Sequence, residues 1–324
     1  MRAATASAPA RAALAGNPSD GYGGRTLALT LPELEARVEL SEADGVELCG
    51  LRLRTTAELE RALAAGREPA LMAGALRRLA RRATLPETGF ALRFHTTIPG
   101  EVGLAGSSAL VVAALRALSQ AFEIRLAPDE LAAEALAAEV EELGIAAGPQ
   151  DRVVQAHGGL VMMDFAPRSG APWLVEPLDP ELLPPLFVAW RHDAATHSGD
   201  YHAELRRRHQ AADAGVRRCM AELADLASEA RAALVAGDQH AFARCLDGSF
   251  DQRRAMGPLE PAHVRMIQLA RSRGASANYA GSGGAIVGTQ PAGAAWDDLR
   301  AALEAEGCAL LSSVTAGTRL LSPR

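Results

Sequence analysis

Apolar positions alternate or run continuously through the first part of the chain, as they do in strands. TLALTL (26–31), LEARVEL (34–40) and GVELCGLRL (45–53) are the clearest cases. A period near 3.6 then takes over in ALMAGALRRLARR and predicts a helix over about 70–82. GFALRFHTTI (89–98) returns to strand. It runs into IPGEVGLAGSSALVVAALRAL (98–118), where glycine and serine crowd directly against an apolar helical stretch that continues to about Phe122. APDELAAEALAAEVEELG carries its own helix signals: Pro128 at the start, acids in the first turn, and Gly144 just past the end. GGLVMMDF (158–165) predicts another strand.

Six of the 18 prolines fall between Pro167 and Pro185, which predicts a linker or domain edge and an organisation of 1–180 followed by 181–324. Beyond it PLFVAWR (185–191) reads as a strand. A single long helix is expected over 201–236, where Leu205, Val216, Met220, Leu223, Leu226 and Leu234 make a core-facing stripe. Shorter helices are expected at 238–247 and 259–273, and strands in GGAIVG (283–288), CALLSSV (308–314) and GTRLLS (317–322). Strands and helices mix throughout, so the expected class is α+β in two lobes.

Composition narrows the function. The 324 residues are 48% hydrophobic and 22% charged, with a net charge of −6 and no basic tail or stripe, so nucleic acid is not an expected partner. No apolar run reaches the ~20 residues of a membrane helix. MRAATASAPARAALAG lacks a leucine-rich core and does not read as a secretory signal. The four cysteines (Cys49, Cys219, Cys245 and Cys308) are far apart and read as thiols of a reducing cytoplasm. All 33 basic residues are arginine. That excludes a Schiff-base lysine and the lysine-bearing Walker loop, so any cation of an active site must be arginine, a metal or a helix end. His192, His197, His202 and His209 lie close in sequence, but their spacing is not that of a zinc site.

The segment 98–118 has two readings. The glycines and serines are either a cap before a core helix or a seat for phosphate. A helix start carries unpaired N–H groups and about half an elementary positive charge, so it binds an anion without lysine. Gly103 and Gly106 allow close approach, and Ser107 and Ser108 supply hydroxyls. The rest of the chain favours phosphate. GLAGSSA, with Pro99 before it, resembles the second motif of the GHMP small-molecule kinases, P-x-x-x-G-L-G-S-S-A, with Ala105 inserted. APARAALAGNPSDGYGG (8–24) resembles the first motif, with Arg11 at its basic position, Gly16 at its glycine and Asp20 at its substrate-facing acid. Asn17-Pro18-Ser19 stands where most of the family has Glu-His-x. GIAAGPQDRVVQAHGGLVMMDF (144–165) is similar to the segment bearing the catalytic aspartate, here Asp151, and YAGSGGAIVG (279–288) to the third, glycine-rich motif. Within the family the strings GNPSD, GRT, GLAGSSA, AGPQDRV, HGGLVMMDF and GSGGA are similar to the plant-type glucuronokinase branch.

The resemblance implies a two-lobed GHMP kinase fold, with a ribosomal-S5-like N-terminal domain, a ferredoxin-like C-terminal domain and the site in the cleft between them. It implies a cytoplasmic ATP- and Mg²⁺-dependent kinase, monomeric or homodimeric. The substrate would be a small sugar or uronic acid, glucuronate phosphorylated at C1 being the sharpest expectation. Pro99, Gly103, Leu104, Ala105, Gly106, Ser107, Ser108 and Ala109, with Gly281, Ser282 and Gly283, would hold the nucleotide. Ser108 and Glu139 would hold the metal, with Glu141 and Glu142 close enough in register to compete for that role. Asn17, Ser19, Asp20, Tyr22, Gly23, Arg25 and Gln150 would face the substrate. Asp151 would act as base or orient the acceptor hydroxyl, and Arg11 would neutralise developing charge. A uronate carboxylate matches the arginine fork; Arg25 is the first candidate to read it, ahead of Arg152 and Arg191. A related sugar or sugar-phosphate kinase, a non-catalytic nucleotide-binding relative and a decarboxylase of the same family stay open.

Overall fold

The computed structural model describes residues 2–53, 58–85, 89–192 and 198–314. His197 and the strand expected at 317–322 lie outside these residues, and the side chain of His202 is likewise not described. In chain order the strands are β1 Ala4–Ala15, β2 Arg25–Glu42, β3 Val46–Leu48, β4 Leu51–Leu53, β5 Phe90–Thr96, β6 Leu160–Asp164, β7 Leu174–Leu178, β8 Leu186–Trp190, β9 Ala277–Tyr279, β10 Ala285–Thr289 and β11 Ala309–Val314. The helices are α1 Leu59–Leu63, α2 Arg67–Ala80, α3 Gly106–Ala121, α4 Pro128–Ala137, α5 Gln150–His157, α6 Ser198–Gln210, α7 Ala214–Ala236, α8 Gln239–Ala255, α9 Pro261–Ser272 and α10 Ala294–Ala305.

Two compact units emerge, each assembled from separated segments. The first comprises Met1–Ala10, Pro32–Ile98 and Ala105–His157; the second comprises Arg11–Leu31, Pro99–Leu104 and Gly158–Arg324. The expected boundary at 180/181 lies inside the second unit, and the proline-rich stretch carries β7, paired antiparallel to β6. The segment 26–40, expected as two strands, is one strand. Pro32, which has no N–H to offer a ladder, lies outside both the β5 register (36–42) and the β6 register (25–29).

In the first unit β3 pairs with β4 and β5, and β5 pairs with the second half of β2. Helices α2, α3, α4 and α5 lie against one another beside these strands. Helix α3 is apolar almost all round, as a fully buried helix must be. Its single charge, Arg116, is spent inside the unit: it donates to Ser7 O at 2.8 Å and to the Gln155 and Ala156 carbonyls at 3.0 and 3.1 Å. Those last two belong to the C-terminal turn of α5, where a cation complements the helix dipole. Arg116 thereby fixes the helix whose first turn carries Asp151.

In the second unit the first half of β2 pairs with β6. A four-stranded antiparallel sheet, β11-β8-β10-β9, has a core of Phe187, Phe250, Ile267, Ile286 and Leu299 among others. The helix expected over 201–236 is broken: Ala212 has φ of 60° and Asp213 caps α7, its carboxylate accepting from Gly215 and Val216 N–H. Mainly antiparallel sheets, with β3 and β5 paired in parallel, and helices set against them make this the α+β class expected. No helix of the described residues is long and apolar enough to cross a membrane.

Candidate active site

The loop before α3 ends at Ala105, which has φ of 61°, a conformation costly to a residue with a Cβ. Its carbonyl is what holds it there. Ala105 O accepts the first intrahelical bond from Ala109 N–H at 3.0 Å, and also Ser108 Oγ at 3.2 Å and Gln155 Nε2 at 3.0 Å. The residue inserted against the family spelling is therefore the pivot on which the helix start turns.

Behind that start runs a row of buried charges, all within the first unit. Ser107 Oγ donates to Glu139 Oε1 at 3.1 Å. Glu139 is fully buried, and its other oxygen accepts from the Arg152 guanidinium. Arg152 Nη1 donates to Gly148 O at 2.9 Å and stands 3.8 Å from Asp151 Oδ2. Asp151 keeps 19% of its side chain exposed. The row holds two carboxylates against one guanidinium, a net negative charge at the mouth of a positive helix end.

A π turn over Ala138–Glu142 settles which acid points inward. Glu139 faces Ser107, whereas Glu141 and Glu142 turn to the arginines of α2: Arg78 reaches Glu141 at 2.6 Å, and Arg81 reaches Glu142 at 2.8 Å. Among the described residues no three His, Cys, Asp or Glu side chains gather as a metal cage. A magnesium ion that takes most of its oxygens from phosphate and water does not need one. The Glu139 carboxylate and the Ser107 hydroxyl bonded to it are oxygen donors that fit such an ion. Ser107 is the serine bonded to Glu139, and the Ser108 hydroxyl donates to Ala105 O at 3.2 Å.

Within the second unit, buried side chains hold main-chain carbonyls of the second and third motifs. Arg11, 4% exposed, donates through Nη1 to Gly103 O at 2.8 Å and to Ala280 O at 2.6 Å, bridging the second motif to the third. Asn17 Nδ2 donates to Gly281 O at 2.9 Å. Gly103 has φ of 76°, and a Cβ there would lie 2.5 Å from Gly283 O. Only a residue without a side chain allows the two loops this approach.

The remaining candidates occupy more ordinary places. Ser19 is buried, with its hydroxyl on Arg25 O at 2.9 Å. Asp20 is nearly buried in a single 3-10 turn, Ser19–Tyr22, which Gly23 closes with φ of 77°. Tyr22 lies against the His209 ring, with centroids 4.6 Å apart, and His192 accepts from Trp190 Nε1. Gln150 is buried at the start of α5. Of the three arginines considered for a carboxylate, Arg152 is committed to Glu139 and Arg191 stands 3.9 Å from Glu306. Arg25 is half-exposed and pairs with Asp225 of α7 at 2.8 Å. Burial pushes the Cys49 and Cys245 thiols up to about 11, so neither is a ready nucleophile.

Sequence reasoning missed Arg253. It is 1% exposed on α8 and donates to Gly281 O at 2.8 Å and Ser282 O at 3.3 Å. Its signal was its phase: Phe242, Leu246, Ser249 and Phe250 define the buried stripe of α8, and Arg253 continues it.

Residues 70–159 match the GHMP kinases N terminal domain. Glucuronokinase 1 of Arabidopsis thaliana is 33% identical over 305 residues, 88% of this chain and 84% of that protein. The chain belongs to the GHMP kinases. A second Arabidopsis relative of the family, probable glucuronokinase 2, is 34% identical over 306 residues, covering 88% of this chain and 83% of that one. The structure of Lactococcus lactis galactokinase with galactose shares the GHMP kinase fold, with a TM-score of 0.78 at 18% identity, over 99% of this chain and 96% of that one.

Proposed function

We propose that this ATP-dependent sugar kinase transfers the γ-phosphoryl group of ATP to the C1 hydroxyl of D-glucuronate, giving glucuronate 1-phosphate and ADP. The observation that carries the substrate is the 33% identity to glucuronokinase 1 along most of both chains. The row Ser107–Glu139–Arg152–Asp151 at the start of α3 supports the transfer itself.

The bond between the γ-phosphorus and the β,γ-bridging oxygen breaks, a bond from the sugar oxygen forms, and the hydroxyl proton must leave. Asp151 receives that proton; its remaining exposure gives the acceptor hydroxyl access. Arg152 holds Asp151 and Glu139 in register from between them. The α3 start and its serine hydroxyls bind the phosphates, and the loop positions them, which is most of what phosphoryl transfer asks of a protein. Glu139 with Ser107 or Ser108 would hold Mg²⁺, which would supply positive charge to the phosphate oxygens. Arg11 keeps the Gly103 loop against Ala280 and adds a fixed charge there. Arg25 reads the uronate carboxylate, exchanging Asp225 for it.

The test is ADP release from Mg-ATP across glucuronate, galacturonate, glucose, galactose, mannose, heptose 7-phosphate and mevalonate, with wild type beside Asp151→Asn. A strong signal with glucuronate that disappears in Asp151→Asn is the expected result. A signal confined to another sugar overturns the glucuronate assignment and keeps the kinase.

A further inference from the structure

Three buried donors converge on three consecutive carbonyls of the glycine-rich turn. Arg11 takes Ala280 O, Asn17 and Arg253 share Gly281 O, and Arg253 also takes Ser282 O. Arg11 and Asn17 belong to the first motif; Arg253 belongs to no motif and arrives from the middle of the second unit on α8. Its guanidinium is seated over the Tyr279 ring, 5.2 Å from the centroid, so the fork approaches the turn from a fixed platform. The carbonyls of Ala280, Gly281 and Ser282 are thus all tied to buried side chains. Arg253 is buried and reaches the turn through main-chain oxygens.

We infer that Arg253 is a positioning residue of the phosphoryl transfer, acting through the 281–283 turn without touching either substrate. Lysine cannot replace it, because a point charge does not span two carbonyls as a planar fork does. A loosened turn costs rate rather than ground-state binding, since a displacement of about 1 Å in a catalytic arrangement costs up to roughly 10²-fold. The inference rests on the kinase reading but not on the identity of the sugar.

Arg271 provides the matched control. It too sits 5.2 Å over an aromatic ring, Phe250, and donates to a main-chain carbonyl, Asp247 O at 2.8 Å, but its ion pairs are with the Asp247 and Asp251 carboxylates, at 2.9 and 2.8 Å, rather than with the turn. Arg253→Lys, Arg253→Gln and Arg271→Lys would be compared with wild type for kcat, for KM of ATP and sugar, and for unfolding midpoint. The assay uses whichever sugar wild type turns over fastest. A wrong sugar assignment then shows in wild type, and a failure of this inference shows only in the ratio of variant to wild type. Both Arg253 variants are expected to lose kcat by roughly 10- to 100-fold with both KM values within about threefold. Arg271→Lys is expected to shift the midpoint by a similar amount while keeping its kcat. Retention of kcat by either folded Arg253 variant, or an equal loss in Arg271→Lys, overturns the inference. Unfolding of both Arg253 variants at 25 °C also overturns it, since the arginine would then hold the unit together rather than the turn.

Discussion

The start of α3 and the turn at 281–283 use arginine in opposite ways. At α3 the guanidinium of Arg152 is a counter-ion, set between the carboxylates of Glu139 and Asp151. At the turn the guanidiniums of Arg11 and Arg253 donate to main-chain oxygens, Arg253 as a fork through both terminal nitrogens. The first arrangement controls charge and the second controls backbone shape. The difference follows from a chain that holds no lysine and must do both jobs with one side chain. It also says what each region tolerates. A counter-ion pair can be exchanged for apolar residues if both partners go together, whereas a fork on fixed carbonyls has no such substitute.

The largest expected effect tests the charged region at its exposed end. Asp151→Asn keeps the shape and removes the proposed proton acceptor, so kcat should fall by about 10²–10⁴ while ATP binding persists. Steady-state ADP release and nucleotide titration read the two separately. An unchanged kcat would remove Asp151 from the chemistry and leave the row as a structural ion pair. Next comes the buried end. Glu139→Gln removes the nearest counter-ion of Arg152 and should cost up to about 3–5 kcal/mol in a denaturant titration, whereas Glu139→Leu with Arg152→Met should recover most of that loss while staying inactive. If the double variant were no more stable than the single, the row would owe its stability to shape rather than charge, and the contrast with the turn would collapse.

A pair of glycines tests the backbone side of the comparison. Gly103 has positive φ and sits against Gly283 O, so Gly103→Ala should cost about 2 kcal/mol or more. Gly106 opens α3, and a Cβ there would meet Ile98 at an ordinary 3.5 Å. Gly106→Ala should therefore stabilise by about 0.4–1 kcal/mol. Opposite signs three residues apart, read by thermal unfolding, would mark where backbone shape stops governing and the helix begins. Losses of the same sign would deny that boundary.

Much of this was legible in sequence wherever one element decided its own fate. The apolar runs of β2, β5, β6 and β8 and the period of α2, α3 and α9 read directly as strands and helices. β1 did not, because ATASAPARAALA is alanine-rich and has little intrinsic preference for a strand; burial of residues 8–15 makes it one. The break between α6 and α7 rests on a single capping aspartate, Asp213, inside an otherwise continuous helical pattern. Arg11, Ser107, Glu139 and Asp151 could be singled out as candidates because short strings mark them. The bonds that place them were not, since Arg11 meets Ala280 across 269 residues and Arg152 meets Glu139 through a π turn that no local pattern announces.

The smallest expected effect concerns Arg25, the half-exposed arginine proposed to read the substrate carboxylate. Arg25 and Asp225 are 38% and 66% exposed, so their pairing stabilises by about 1 kcal/mol at most. If Arg25 reads a uronate carboxylate, that carboxylate must compete with Asp225 for the same fork. Asp225→Asn removes the competitor, and KM for glucuronate should then fall by about two- to fivefold, the factor that up to ~1 kcal/mol allows. KM for a neutral sugar should not move. Arg25→Ala should erase the preference for the uronate over the neutral sugar, with stability changed by less than about 1 kcal/mol. An Asp225→Asn enzyme with unaltered KM values would return Arg25 to an ordinary surface pair, and the reading of the carboxylate would have to come from another arginine.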